Sequence, residues 1–370
     1  MYKPHPGGCT GFCGVWAVGA WWSEVDRRVK TGALPRTLRS PTSLVGDSSF
    51  SPLKNKSTTL IVFSHILAVS IRKAAQNENP PPKKSTTPTW LITGASNGLG
   101  LALVLHVLER GHKVIGSVRS KTKSASAVAQ IEKAGGSVVE MDMTESKESI
   151  TAKVQALGSI DYLVNNAGYS ILAACEQITD KDAHLQLNTN FFGPLYVIQA
   201  ALPGMRGNKS GTIVNVSSVA ARDPLAACSL YAASKAALEA ASEALAKEVA
   251  PHNIRILLVE PGNFRTNFVS ALSDMSPDAS TVPEYYDDPV GIIVRKFLTV
   301  HGKQIGNPAE GVQRIFEAVT GQGLAGSLNG KCLRLILGSD ALRRIKAWNE
   351  NWAKEVSLQE ETAVSTDFKE

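Results

Sequence analysis

The stretch TWLITGASNGLGLALVLHVLERG (89–111) constrains the fold more than any other part of the chain. A short apolar run, TWLIT (89–93), leads through a glycine-rich turn into LGLALVLHVLERG (99–111), which has helical periodicity and ends at a glycine. The same alternation then repeats. HKVIGSVR (112–119) and SVVEMD (137–142) are predicted strands flanking a helix at SASAVAQIEKAGG (124–136). IDYLVNNAG (160–168), GTIVNVSS (211–218) and NIRILLVEPG (253–262) are three more predicted strands, with helical segments between them. Continuous apolar strands, rather than strands alternating apolar and polar residues, are buried on both faces. The expectation is an α/β fold: a single Rossmann-type doubly wound parallel sheet with helices on both faces. No internal repeat is visible.

The turn TGASNGLG (93–100) is where a dinucleotide is expected to bind. Gly94 permits the sharp turn. Gly98 and Gly100 lack a Cβ, so backbone can approach a pyrophosphate and the helix can pack on the strand. Together with Ser96, Asn97 and Leu99 they form the predicted phosphate-binding loop, opening on a helix N-terminus. The spacing is GxxxGxG, not the GxGxxG of the commonest fingerprint. An acidic residue at the end of the second strand would favour NAD. This chain has Ser117, Val118 and Arg119 there, followed by Lys121 and Lys123. Arg119 can make two parallel charge-assisted bonds to a 2′-phosphate, so NADP(H) is the expected cofactor. Asp142, ending the third strand, is placed to meet the adenine amino group, or else to cap the helix that follows.

SLYAASKAALEA (229–240) is a predicted helix of small residues with Tyr231 and Lys235 on one face, at i and i+4. A free phenol has a pKa of about 10. An ammonium about 4 Å away contributes about 4 kcal/mol at an effective dielectric of about 20. That predicts a phenol lowered by roughly 3 units, near the value a general acid or base needs. Ser218 ends a buried strand and is placed to hold a substrate carbonyl beside the phenol. Asn190, in an apolar-striped helix (NTNFFGPLYVIQ), needs hydrogen-bond partners if buried. Supporting a water relay to the lysine is one reading, and a structural network is the other.

These residues together resemble the short-chain dehydrogenase/reductase family. The match runs through TGxxxGxG (93–100), Asp142, NNAG (165–168), Asn190, Ser218, YxxxK (231–235) and PG (261–262) followed by Thr266, over roughly residues 89–270. The resemblance implies that Tyr231 exchanges the proton, Lys235 tunes it and binds the nicotinamide ribose, Ser218 orients the carbonyl and Asn190 holds a water relay. It implies that Asn166, Ala167 and Gly168 line the adenine and ribose side. Pro261, Gly262, Phe264 and Thr266 would lie at the nicotinamide end. The segments at 259–268, 301–319 and 333–347 are similar to a fungal-type group of NADP-dependent carbonyl reductases akin to retinol and 17β-hydroxysteroid dehydrogenases. The implied substrate is a small lipophilic ketone or alcohol, polyketide-, retinoid- or steroid-like, in secondary metabolism. Its contacts are expected in the loop-rich stretch 264–300, from Phe264, Phe268, Tyr285 and Tyr286. Helices at 182–205 and 229–250 form the usual subunit contact in this family, which implies a homodimer or homotetramer. Two rival readings are a dehydratase or epimerase using the same Tyr–Lys pair, and a catalytically silent NADP-binding redox sensor.

Residues 1–88 have no counterpart in that pattern. They hold 12 Lys/Arg against 4 Asp/Glu, so the whole net charge of +6 originates there and the rest of the chain is slightly acidic. Nucleic-acid binding by the body is therefore not expected. Two apolar runs, GFCGVWAVGAWW (11–22) and LIVFSHILAVSI (60–71), are shorter than the roughly 20 residues of a spanning helix. The segment is expected to be a basic, partly disordered extension. Organelle targeting and weak membrane association through 60–71 are the other readings. The catalytic domain is expected over 89–350, with a tail at 351–370. Five scattered cysteines give no disulfide framework, and Cys9 and Cys13 lack a second pair for a metal site. Cys175 and Cys228 are expected to be packing residues near the pocket. A reducing, cytoplasmic setting fits.

Overall fold

A computed structural model describes residues 87–268, 287–300 and 302–368. The expectations for the N-terminal extension, its segment 60–71, and Tyr285 and Tyr286 lie outside the described residues. Seven strands form one parallel sheet in the order β3-β2-β1-β4-β5-β6-β7. They are β1 (Thr89–Ile92), β2 (Lys113–Val118), β3 (Ser137–Glu140), β4 (Tyr162–Asn165), β5 (Gly211–Val216), β6 (Ile254–Pro261) and β7 (Arg334–Leu337). The first six are the strands predicted from the apolar runs. The seventh, four residues long, was not anticipated. RLIL is too short to distinguish from the start of the following helix by periodicity.

The helices between the strands are α1 (Gly98–Glu109), α2 (Ala125–Lys133), α3 (Lys147–Ala156), α4 (Asp180–Leu187), α5 (Gly193–Asn208) and α6 (Ser229–Val249). Three more follow β6: α7 (Pro289–Thr299), α8 (Pro308–Thr320) and α9 (Ser339–Val364). Successive strand residues face opposite sides, and each side has its own core. Trp90 and Ile92 of β1 pack with Leu103, Val104 and Val107 of α1 and with Ile315 and Phe316 of α8. Leu91 faces the other way, with Ile150 and Val154 of α3 and Val197, Ile198 and Met205 of α5. Trp90 is fully buried, its ring stacked on Phe316 and its indole N–H donated to His112 Nδ1 at 2.9 Å. The doubly wound expectation is therefore met, because each strand carries apolar residues for two faces.

α9 runs continuously across the expected boundary at 350/351, so the tail is the end of a helix rather than a separate segment. Its packed residues end near Trp348, and from Asn349 to Phe368 every residue is exposed. Among the described residues, no helix is long and apolar enough to cross a membrane.

β1 has β2 on one side and β4 on the other. The chain winds outward from β1 to β3, then returns to β4. This reversal opens a crevice beyond the carboxyl ends of β1 and β4, the place where open α/β sheets bind ligands.

Candidate active site

The crevice is a cavity of about 460 Å³. Its floor is the glycine turn. Gly94 has φ +68°, a left-handed conformation that costs other residues free energy. A Cβ there would also lie 2.8 Å from the Ala167 Cα of the facing loop. Gly94, Ser96, Asn97, Gly98 and Leu99 all line the cavity, as do Asn166, Ala167 and Gly168 after β4. Asn166 fastens the two loops, donating from Nδ2 to the Thr93 and Gly94 carbonyls at 3.0 and 3.2 Å. Gly100 does not reach the cavity. The space a Cβ would need is taken by the Gly94 carbonyl, so this glycine permits the close packing of helix on turn.

Arg119 lies at one end, exposed and on the cavity wall beside Ser120, Lys123 and Ser124. Among the described residues it makes no ion pair with a carboxylate. Asp142 also lines the cavity, but its Oδ1 accepts from the N–H and hydroxyl of Thr144 at 2.9 Å. It does not cap the next helix: Ser146 does, accepting from Ser149 N.

At the other end, Ser218, Tyr231 and Lys235 share the wall with Pro261, Gly262, Phe264 and Thr266. Ser218 stands just beyond β5 in extended backbone, its hydroxyl accepting from Ala220 N at 3.1 Å. Its side chain also hydrogen-bonds the Tyr231 phenol. Phe268 packs on the tyrosine, ring centroids 6.0 Å apart. Lys235 is 4% exposed and donates from Nζ to the Val216 carbonyl at 2.8 Å.

The titration expected for the tyrosine is not the one found. Burial pushes the phenol up to about 12, the Ser218 hydrogen bond pulls against this, and Cys228 adds to it. Lys235 does not offset the burial, because its ammonium is turned to the Val216 carbonyl and sits 6.0 Å from the tyrosine ring centroid. The lysine itself falls to about 8, chiefly through burial, with Glu239 opposing. The sign for stability follows. Between about 8 and 10.5 the unfolded chain binds the lysine proton more tightly, so this group destabilises the fold at pH 7 and ceases to do so as pH rises. Lys235→Met is therefore expected to raise the thermal midpoint of the cofactor-free protein at pH 7 by several degrees. The gain should shrink in melts recorded from pH 8 to 10.5.

Asn190 is fully buried in a π-helical turn, Asn188–Phe192, and does not line the cavity. Its Nδ2 donates to the Tyr169 carbonyl and to Ser234 Oγ, both at 2.9 Å, and its Oδ1 accepts from Tyr169 N at 3.1 Å. Both Nδ2 donors are spent on protein, which makes the side chain part of a structural network, while Oδ1 keeps a second acceptor site of the kind a water relay would use. The network ties the loop after β4 to α6.

Phe268, expected among the substrate contacts, joins Phe297 of the same stretch and Leu172 and Leu225, which escaped the sequence, in an apolar cluster at the Tyr231 end. Gln304 and Arg344 also reach the wall, from the segments 301–319 and 333–347, within which no local pattern marks either side chain. Gln304 is 2% exposed and neither of its amide atoms has a protein partner. Tyr169 also lines the wall, directly following NNAG. Cys228 is buried on the wall with a thiol raised to about 11, as a packing residue would be, whereas Cys175 is exposed, against expectation. No cluster that could hold a metal ion occurs among the described residues.

Comparison with known proteins agrees with this geometry. Residues 88–277 match the family described as short chain dehydrogenase. The oxidoreductase claN of Passalora fulva is 45% identical over 185 residues, 50% of this chain and 85% of that protein. The oxidoreductase BOA17 of Botryotinia fuckeliana is 33% identical over 282 residues, 74% of this chain and 98% of that protein. A crystal structure of a short-chain dehydrogenase from Streptomyces avermitilis superposes with a TM-score of 0.65 at 32% identity, covering 77% of this chain and all of that one. The seven-stranded parallel sheet, the glycine turn at its reversal and these matches make the chain a member of the short-chain dehydrogenase family, an oxidoreductase of a family that uses nicotinamide cofactors.

Proposed function

We propose that the protein is an NADP(H)-dependent carbonyl reductase acting on a small lipophilic ketone, with Tyr231 as proton donor. The observation that carries this reading is that Ser218, Tyr231 and Lys235 line the same cavity as the glycine turn, with an apolar cluster beside the phenol. The cavity suits a dinucleotide because its turn is built where side chains do not fit, at Gly94 and beneath it at Gly100. Gly94 to Leu99 and Asn166 to Gly168 would hold the cofactor's phosphates and adenosine, and Asp142 its adenine edge. Lys235, Pro261, Gly262, Phe264 and Thr266 would hold the nicotinamide end. Bound there, the cofactor supplies the hydride.

The chain's own residues then have distinct tasks. Ser218 orients the carbonyl oxygen toward the phenol. Tyr231 gives its proton to that oxygen as negative charge develops on it. Burial raises the phenol, which is therefore protonated at neutral pH, the state a proton donor needs. Lys235 keeps positive charge near the site. Asn190 serves as a positioning residue for the Tyr169 loop. Leu172, Leu225, Phe268 and Phe297 exclude water and favour an apolar substrate. The presence of Ser218, Tyr231 and Lys235 together argues against a silent sensor.

The preference for NADP(H) over NAD(H) rests on Arg119, which has no carboxylate partner among the described residues, with Lys123 beside it on the wall. Charge-assisted hydrogen bonds contribute about 1.5–3 kcal/mol. Arg119→Ala is therefore expected to weaken NADPH binding roughly 10- to 100-fold, at 1.36 kcal/mol per tenfold. NADH binding should change little. Fluorescence titration of both variants with both nucleotides checks this, and equal losses for the two would remove the assignment. Helices α4, α5 and α6 are the surfaces on which a homodimer or homotetramer would be sought.

A further inference from the structure

One face of α6 carries Tyr231, Lys235, Glu239 and Glu243, each four residues after the last. The first two line the cavity. The third is 3% exposed and does not line the cavity. Glu239 Oε1 accepts from the Ser217 hydroxyl at 2.6 Å, and Ser217 is the residue before Ser218. Its Oε2 lies 3.1 Å from Arg222 Nη2 and 3.5 Å from Arg334 Nη2. Arg222 follows the turn after Ser218, and Arg334 comes from β7. Both arginines also meet Glu243, and Arg334 Nε lies 2.7 Å from Glu260 Oε1 of β6. Glu260 is itself raised to about 7 by burial.

Only Glu239 and Glu260 of this cluster are buried, with Arg222, Arg334 and Glu243 partly exposed around them, and burying carboxylates in this way is a poor means of stabilising a fold, since well-packed apolar residues do as well or better. The cluster's position suggests another use. Among the described residues Lys235 Nζ donates to the Val216 carbonyl, and its burial penalises the charge. Glu239, one helical turn away, is the negative charge that opposes this penalty.

We propose that Glu239 is a positioning residue for catalysis: it keeps the Lys235 ammonium charged and ties the Ser217–Ser218 strand end to the helix that carries Tyr231. The inference rests on Tyr231 and Lys235 being the proton-handling pair. The charged groups facing Glu239 are Lys235 and Glu243 on its own helix, Arg222 from the turn after β5, Glu260 on β6 and Arg334 on β7. Removing the negative charge and removing a facing cation must therefore act on Lys235 with opposite signs.

The test is the pH dependence of kcat/KM for ketone reduction. Glu239→Gln keeps an acceptor for Ser217 and removes the charge. Its alkaline limb is expected to move to lower pH by about one unit, a size set by one charge a helical turn away. Arg222→Gln is expected to move the same limb to higher pH, by about half a unit because the guanidinium is partly exposed. Ser217→Ala should lower the rate without moving the limb. Should Glu239→Gln fail to fold, as judged by its melting transition, the Arg222 and Ser217 variants still decide. A limb unmoved by the charge variants, or moved in the same direction by both, overturns the proposal and leaves Glu239 a purely structural group. Tyr231→Phe separates the two layers. If it stays active, the underlying pair assignment fails. If it is inactive while the limb is fixed, only the role of Glu239 fails.

Discussion

Tyr231→Phe is expected to lower kcat/KM for ketone reduction by about 10²–10⁴-fold, the range contributed by a positioned general acid. The substitution removes one oxygen and little else. The ring keeps its contact with Phe268, and the helix keeps its register on β5 and β6. Ser218 loses the phenol as a partner but retains its bond with Ala220 N. NADPH affinity should therefore stay within a few-fold of the parent, and so should the thermal midpoint, within about 2 °C. Steady-state kinetics set beside nucleotide titration tests this pattern. A parallel loss of binding and turnover would point to collapse of the cavity rather than to loss of an acid. Full retention of turnover would remove Tyr231 from the chemistry.

The second large effect is on binding and stability together. Gly94→Ala places a Cβ on a residue at φ +68° and 2.8 Å from the Ala167 Cα, with Ala167 N and Asn166 Nδ2 close behind. The left-handed conformation costs roughly 1–2 kcal/mol for a non-glycine residue. Overpacking against backbone adds about 1–3 kcal/mol. At about 2–4 °C per kcal/mol for a domain of this size, the midpoint should fall by about 4–20 °C. Relief of the clash requires the two loops to part, which opens the floor of the phosphate-binding turn. NADPH binding should then weaken at least about tenfold. A variant with parental midpoint and affinity would contradict the close approach of these loops.

The fold was legible because β1, β2, β4, β5 and β6 are buried on two faces and so appear as unbroken apolar runs. The site was legible where chemistry and local geometry coincide. Gly94 is needed by the turn, and Tyr231 and Lys235 share a helix face by spacing alone. What escaped the sequence depends on tertiary context. Asn190 carries its reason for being polar in the backbone of Tyr169, which spacing does not locate. Gly100 looks like a ligand contact by motif, yet it packs against the carbonyl of Gly94. The phenol of Tyr231 was expected low because a lysine lies one turn away. Burial outweighs it, since the ammonium is committed to the Val216 carbonyl. Gln304 and Arg344 reach the cavity from beyond α7 and from α9, and no local pattern announces either. β7 is only four residues long, below the length at which periodicity separates strand from helix.

The most direct test of the central claim is a single-turnover experiment on the purified chain loaded with NADPH, mixed with a panel of lipophilic ketones and followed by nicotinamide absorbance. At least one ketone should be reduced with consumption of one NADPH per carbonyl, faster than with NADH, and Tyr231→Phe should retain the bound NADPH but reduce the ketone at least about a hundredfold more slowly. Tight NADPH binding without oxidation across the panel, or oxidation that proceeds unchanged in Tyr231→Phe, would contradict it.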